Sequence, residues 1–314
     1  MKFSDFILLI LFLVIFSISF YLFKSSFNFE EKNFEAFFKK EPIEVNASSN
    51  LVQFVPNMRF SKNNISFFIE EDCSKEKSSR VREAFKILEE ETKVIFFYEI
   101  KNDSADILVF CSQKEAEKKE GEKKIFILGE GGPRKFLNLT PYPLIIQGEV
   151  SLFLKKEEVN CEMPLVELHE ILHVFGYDHI NDKKSILYPY LNCEQKLTQE
   201  VIDDLINLYS QKAKAEISIV NISATKKGNY LNFFIEITNT GLVRAENVSF
   251  EIYSEKERIN NYSLEYLEPG YSRKFYVENF FLKSPKVKKL LFKVFSEKEE
   301  YSINNNEVEL FLEE

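Results

Sequence analysis

His169-Glu170-Ile171-Leu172-His173-Val174-Phe175-Gly176-Tyr177-Asp178-His179 holds all three histidines of the chain. The pattern is H-E-x-x-H-x-x-G-x-x-H. On a helix, His169 and His173 are four residues apart and share a face. Both imidazoles can then reach one ion at about 2.0–2.1 Å. Glu170 follows the first of them, placed to act on a metal-bound water rather than on the metal. Gly176 lets the backbone leave the helix with positive φ, so that His179 can swing back as a third ligand. Three protein ligands leave the fourth position of a Zn²⁺ ion open, which distinguishes a catalytic site from a closed structural one.

The surrounding sequence reads as a mixed α and β unit. Ser79 to Glu91 carries Val81, Ala84, Phe85 and Leu88 at helical spacing. Val94 to Tyr98 and Ser104 to Phe110 are β-rich runs, and Leu144 to Phe153 is an apolar run expected to be an edge strand above a cleft. Thr198 is an expected N-cap for a helix running to Tyr209. Gly129-Glu130-Gly131-Gly132-Pro133 reads as a turn-rich loop. No lysine and serine follow it at phosphate-loop spacing.

Downstream of the histidines runs Ser185-Ile186-Leu187-Tyr188-Pro189. With the long histidine motif and the Ala105-Asp106-Ile107 strand, it resembles the metzincin metalloproteases in their matrixin form. Leu187 stands at the Met-turn methionine, a swap of similar volume that usually costs under about 1.5 kcal/mol. The position of a tyrosine ligand found in some metzincins is Pro189, so no tyrosine ligand is expected. The resemblance implies a metzincin-like catalytic domain, a twisted sheet plus helices, over residues 55–212. It implies one catalytic Zn²⁺ on His169, His173 and His179, with Glu170 as general base and acid toward a zinc-activated water. It also implies a protein or peptide substrate lying extended along an edge strand. Ser112 to Pro143 is charged and contains glycine and proline, and it does not align with that pattern by sequence.

Residues 1–24 read as a transmembrane signal anchor, with Phe6 to Phe23 giving eighteen uncharged residues. A helix of that length spans about 27 Å, near the lower limit for a bilayer crossing. The alternative is a cleaved signal peptide, with Ser17-Ile18-Ser19 at peptidase spacing. Either reading puts the body outside the cytoplasm, as a single-pass membrane protein or a secreted one. Residues 25–54 read as a stalk, partly helical over Phe27–Lys40 and then flexible. Cys73, Cys111, Cys161 and Cys193 are candidates for two disulfides. Cys73 with Cys111 and Cys161 with Cys193 is one of three connectivities, and four free thiols are the alternative. Seven glycosylation sequons, beginning at Asn46, Asn64, Asn102, Asn138, Asn221, Asn247 and Asn261, count only if exposed and translocated.

After Tyr209 the composition shifts to β signals: Ile217–Val220, Leu231–Thr238, Val248–Tyr253 and Leu290–Phe295, separated by glycine-containing turns. An all-β sandwich over residues 216–314 follows. Its Ile235–Gly241, Leu267–Gly270 and Asn304–Glu307 stretches resemble the CARDB-like, Ig-type domains of prokaryotic surface proteins. That resemblance implies a module that positions the catalytic domain or binds a cell-surface ligand, and a passive spacer is the alternative. The whole chain is thus α+β, a catalytic domain followed by a sandwich. A net charge of −9 with no basic stripe argues against nucleic acid as a partner. Two functions remain open: a membrane-anchored zinc endopeptidase, and a surface adhesion or structural protein with a zinc site that turns nothing over. Glu170 separates them, since metal binding alone does not require it.

Overall fold

The computed structural model describes residues 36–38, 53–120, 123–153 and 161–312. The expected membrane segment and most of the expected stalk lie outside these residues. No helix among the described residues is long and apolar enough to cross a membrane. Ala36–Phe38, expected within a helical stretch, form strand β1 instead, paired antiparallel with Val308–Leu310. An open strand edge offers unpaired backbone groups to any nearby extended segment, and that gain overrides the weak helical pattern.

The first core is built on one twisted sheet. β2 (Arg59–Phe60), β3 (Asn64–Ile69), β4 (Phe96–Glu99) and β5 (Ile107–Cys111) are followed by a separate hairpin of β6 (Ala116–Glu120) and β7 (Lys123–Ile127). Then come β8 (Gly129–Leu137) and β9 (Leu144–Leu152). β9 runs parallel to β5 and antiparallel to β8, while β3 lies parallel between β5 and β4. Helix α1 (Lys75–Thr92) starts at Ser74, whose Oγ accepts the Lys77 amide at 3.2 Å. It buries Val81, Ala84, Phe85 and Leu88 against the sheet, with the Phe85 ring stacked 4.3 Å from that of Phe67. Asp106 staples the sheet, its Oδ2 accepting from the Ser66 amide at 2.7 Å and from the Ser66 hydroxyl at 2.6 Å.

Two expectations change here. β9 is not an edge strand, because β8 covers its open side. The glycine-rich stretch is not a loop, because Gly129–Leu137 is that covering strand. Its sequence hides this. β8 lies at the sheet margin, where Pro133 is tolerated without an amide hydrogen. Its glycines serve a close approach of backbone to helix rather than a strand pattern.

Helix α2 (Leu165–Val174) carries the first two histidines, and helix α3 (Gln199–Ser210) closes this core through Val201, Leu205, Leu208 and Tyr209. Thr198 precedes α3, but its hydroxyl caps nothing and is buried without a partner. Arg59, fully buried, does part of the fastening: its Nη1 donates to the carbonyls of Leu208 and Gln211 at the end of α3. Two disulfides join Cys73 to Cys111 and Cys161 to Cys193.

The second core lies between two antiparallel sheets. One holds β10 (Ile217–Lys227), β11 (Tyr230–Asn239) and β14 (Ser272–Phe281). The other has the order β1, β16 (Glu307–Phe311), β15 (Lys289–Phe295), β12 (Ala245–Ser254) and β13 (Glu257–Leu267). Ile217, Ile235, Phe250, Phe292 and Leu310 are fully buried between them. Alternate residues of β11 and β12 point inward, as a half-buried strand requires.

Candidate metal centre and its cleft

α2 is short, and the chain leaves it at Gly176 with φ of +88°. That left-handed turn brings His179 back toward the helix. The three Nε2 atoms then converge: His169 to His173 at 2.9 Å, His169 to His179 at 3.2 Å, and His173 to His179 at 3.3 Å. Three nitrogens at about 2.0–2.1 Å from one tetrahedral Zn²⁺ would stand about 3.3 Å apart.

The other ring nitrogens show why a cation belongs there. His169 Nδ1 lies 2.5 Å from the Ile186 carbonyl, and His173 Nδ1 lies 2.6 Å from the Tyr177 carbonyl. Each Nδ1 must therefore carry the proton, which leaves the Nε2 lone pairs of these two rings turned on one another. Burial, then the neighbouring His173, holds the His169 pKa down at about 4 despite its bond to Ile186. Burial likewise lowers that of His173. Both rings are thus neutral at pH 7, as metal ligation demands.

The residues behind the rings are fixed in turn. The Tyr177 hydroxyl donates to Asp204 of α3 at 2.7 Å, so the motif's turn is tied to the closing helix. Leu187 is fully buried, next to the carbonyl that orients His169, and its own carbonyl accepts the Ile180 amide at 3.1 Å. The Phe54 amide donates to the Gly176 carbonyl at 2.7 Å, and its ring stands 6.0 Å from that of His173. Neither this aromatic wall nor β8 was legible in the motif, since both reach the site from distant sequence.

Glu170 is buried beneath β8. Burial, then the charge of Glu130, pushes its pKa up to about 8, against the opposing hydrogen bond from the Gly131 amide. A dication on the three imidazoles would act in the other sense, favouring the carboxylate. The cleft encloses about 680 Å³, walled by Ile127–Gly131 on one side and Leu165, Val166, Tyr188, Pro189, Tyr190 and Leu191 on the other. The Cys161–Cys193 bridge ties this second wall to the approach to α2. Tyr188 and Tyr190 are wall residues, 5.8 Å apart between ring centres.

Residues 59–210 match the family model described as Matrixin, Peptidase_M10. Among the described residues, His169, His173 and His179 are a group of three His, Cys, Asp or Glu side chains whose ligand atoms lie close enough together to share an ion. Match and cluster together fit a zinc metalloprotease. No curated protein matches the chain.

Proposed function

We propose that this protein is a zinc-dependent endopeptidase, membrane-anchored through residues 6–23 and acting outside the cytoplasm. The observation that carries the catalytic part is the convergence of three imidazole nitrogens beside a buried carboxyl group. His169, His173 and His179 would hold the ion. Zinc, when bound, polarises a carbonyl and makes water acidic enough to react near neutral pH. Glu170 takes the proton from that water and returns it to the leaving amine. β8 borders the cleft with an antiparallel edge, and an extended peptide can pair with it through backbone hydrogen bonds. The apolar far wall favours a large apolar side chain beside the scissile bond.

The two disulfides support an oxidising compartment for the body. The sandwich after residue 215, read as a CARDB-like domain, would hold the protease against surface material. The test is metal analysis and cleavage of a peptide library with the full chain in detergent. Glu170→Gln should keep one zinc per chain and lose about 10²–10⁴-fold in kcat. A zinc-loaded wild type that cleaves nothing would favour the adhesion reading instead.

A further inference from the structure

The seven glycosylation sequons play no part in the peptidase chemistry. With 24 asparagines and 32 serines and threonines in 314 residues, chance would supply only about two or three such triplets. Six of the seven fall among the described residues, and in all six the asparagine is exposed.

The fold divides these six. Asn64 begins β3, an interior strand between β4 and β5, and the hydroxyl of its triplet, on Ser66, is buried and donates to Asp106. Asn247 lies on β12, between β13 and β15, and its Nδ2 already donates to Glu297. The other four stand differently. Asn102 is in the turn between β4 and β5, and Asn138 in the turn between β8 and β9. Asn221 is on β10 and Asn261 on β13, each an edge strand of its sheet with one side open to an approaching chain. The serine or threonine of each of these four triplets is exposed as well. Among the described residues no acceptor takes the Nδ2 hydrogens of any of the four. At Asn102 the Ser104 amide, at 3.1 Å, and the Ser104 hydroxyl both donate to Oδ1, which leaves Nδ2 free. None of the four lines the cleft, so a bulky group on each leaves it open.

We propose that Asn102, Asn138, Asn221 and Asn261 carry N-linked glycans, and that the fold withholds Asn64 and Asn247. The inference rests on the body lying outside the cytoplasm, as in the function proposed above. The donor is a sugar joined through C1 to a lipid-linked phosphate, brought to the folded chain by a transferase. Nδ2 forms a bond to C1. The C1–O bond breaks, its electron pair leaves with the phosphate, and Nδ2 gives up one proton. The enzyme must hold the backbone and the hydroxyl of the triplet while the nitrogen reacts. A turn or an edge strand permits that grip, and a strand hydrogen-bonded on both sides does not.

The test is peptide mapping by fragmentation mass spectrometry on the full chain isolated from the cells that make it. Each of the four asparagines should carry sugar, and Asn64 and Asn247 should be bare. Replacing the four by glutamine should remove all sugar from the chain. Labelling of intact cells with a membrane-impermeant amine reagent reports separately on which side the body lies. Four bare asparagines on an outward-facing body overturn the inference and leave the proposed location standing. Asn64 modified as fully as the other four also overturns it, because the fold then selects nothing. A body facing the cytoplasm overturns the location, and the inference with it.

Discussion

At Gly131 a Cβ atom would stand 2.0 Å from the Glu170 carbonyl oxygen, whereas at Gly132 it would meet nothing within 4 Å. Adjacent glycines thus have different reasons to exist. The first lets β8 lie on the helix that carries Glu170. Gly131→Ala should destabilise the fold by about 1–3 kcal/mol, the usual cost of overpacking, and should lower kcat/KM at least about tenfold by displacing β8. Gly132→Ala should do neither. Denaturant midpoints and peptide kinetics of the pair decide this, and equal behaviour would mean β8 does not lie on α2 as described. Leu187 makes the opposite case. Leu187→Met keeps a similar volume at a fully buried position, so stability should change by less than about 1.5 kcal/mol and zinc content should stay the same. The histidines were readable because ligand spacing is a local property of helix geometry. The glycines were not, because what crowds them lies about forty residues further along the chain.

Elements were legible where one face alone meets a core. α1 shows its apolar period, and the inward faces of β11, β12 and β15 alternate in the sequence. The sequence does not reveal β13 and β14, because they lie at sheet margins with most side chains exposed, so polar and aromatic residues mix without a period. β8 is illegible for a different reason: its glycines answer to a helix, not to a sheet. The wall after Leu187 has no regular structure, and the Cys161–Cys193 bridge constrains it. Closing a loop of 32 residues should stabilise the chain by about 3–4 kcal/mol. Replacing both cysteines by alanine should cost about that much and also raise KM, since residues 188–191 line the cleft. Replacing Cys73 and Cys111, which close a similar loop away from the cleft lining, should cost similar stability with KM unchanged. Urea titration with steady-state kinetics on both double variants separates the two roles. A KM unchanged in both would remove the bridge from the specificity wall.

Across the whole molecule the two cores meet through specific contacts rather than through a bare linker. Leu242 lies in the first core though it follows β11, and Tyr301 packs against that core from the far end of the sandwich. The groups at this boundary make stability depend on pH. Burial, partly offset by its bonds to Ile217 and Asn306, raises the Glu300 pKa from 4.5 to about 7, with Glu216 adding to the rise. Between those values the folded chain holds a proton that the unfolded chain has lost. The contribution of Glu300 to stability must therefore fall as pH climbs from about 4.5 to about 7 and level off above that. His169, held down at about 4, works in the opposite sense between about 4 and 6.5. The difference between wild type and Glu300→Gln isolates the carboxyl group from it. Wild type should lose about 1–2 kcal/mol more than the variant between pH 5 and 7.5, after discounting for partial exposure. Denaturation midpoints across that range are the measurement. Identical slopes would mean that Glu300 ionises as freely in the folded chain as in the unfolded one, and that the boundary does not hold it out of water.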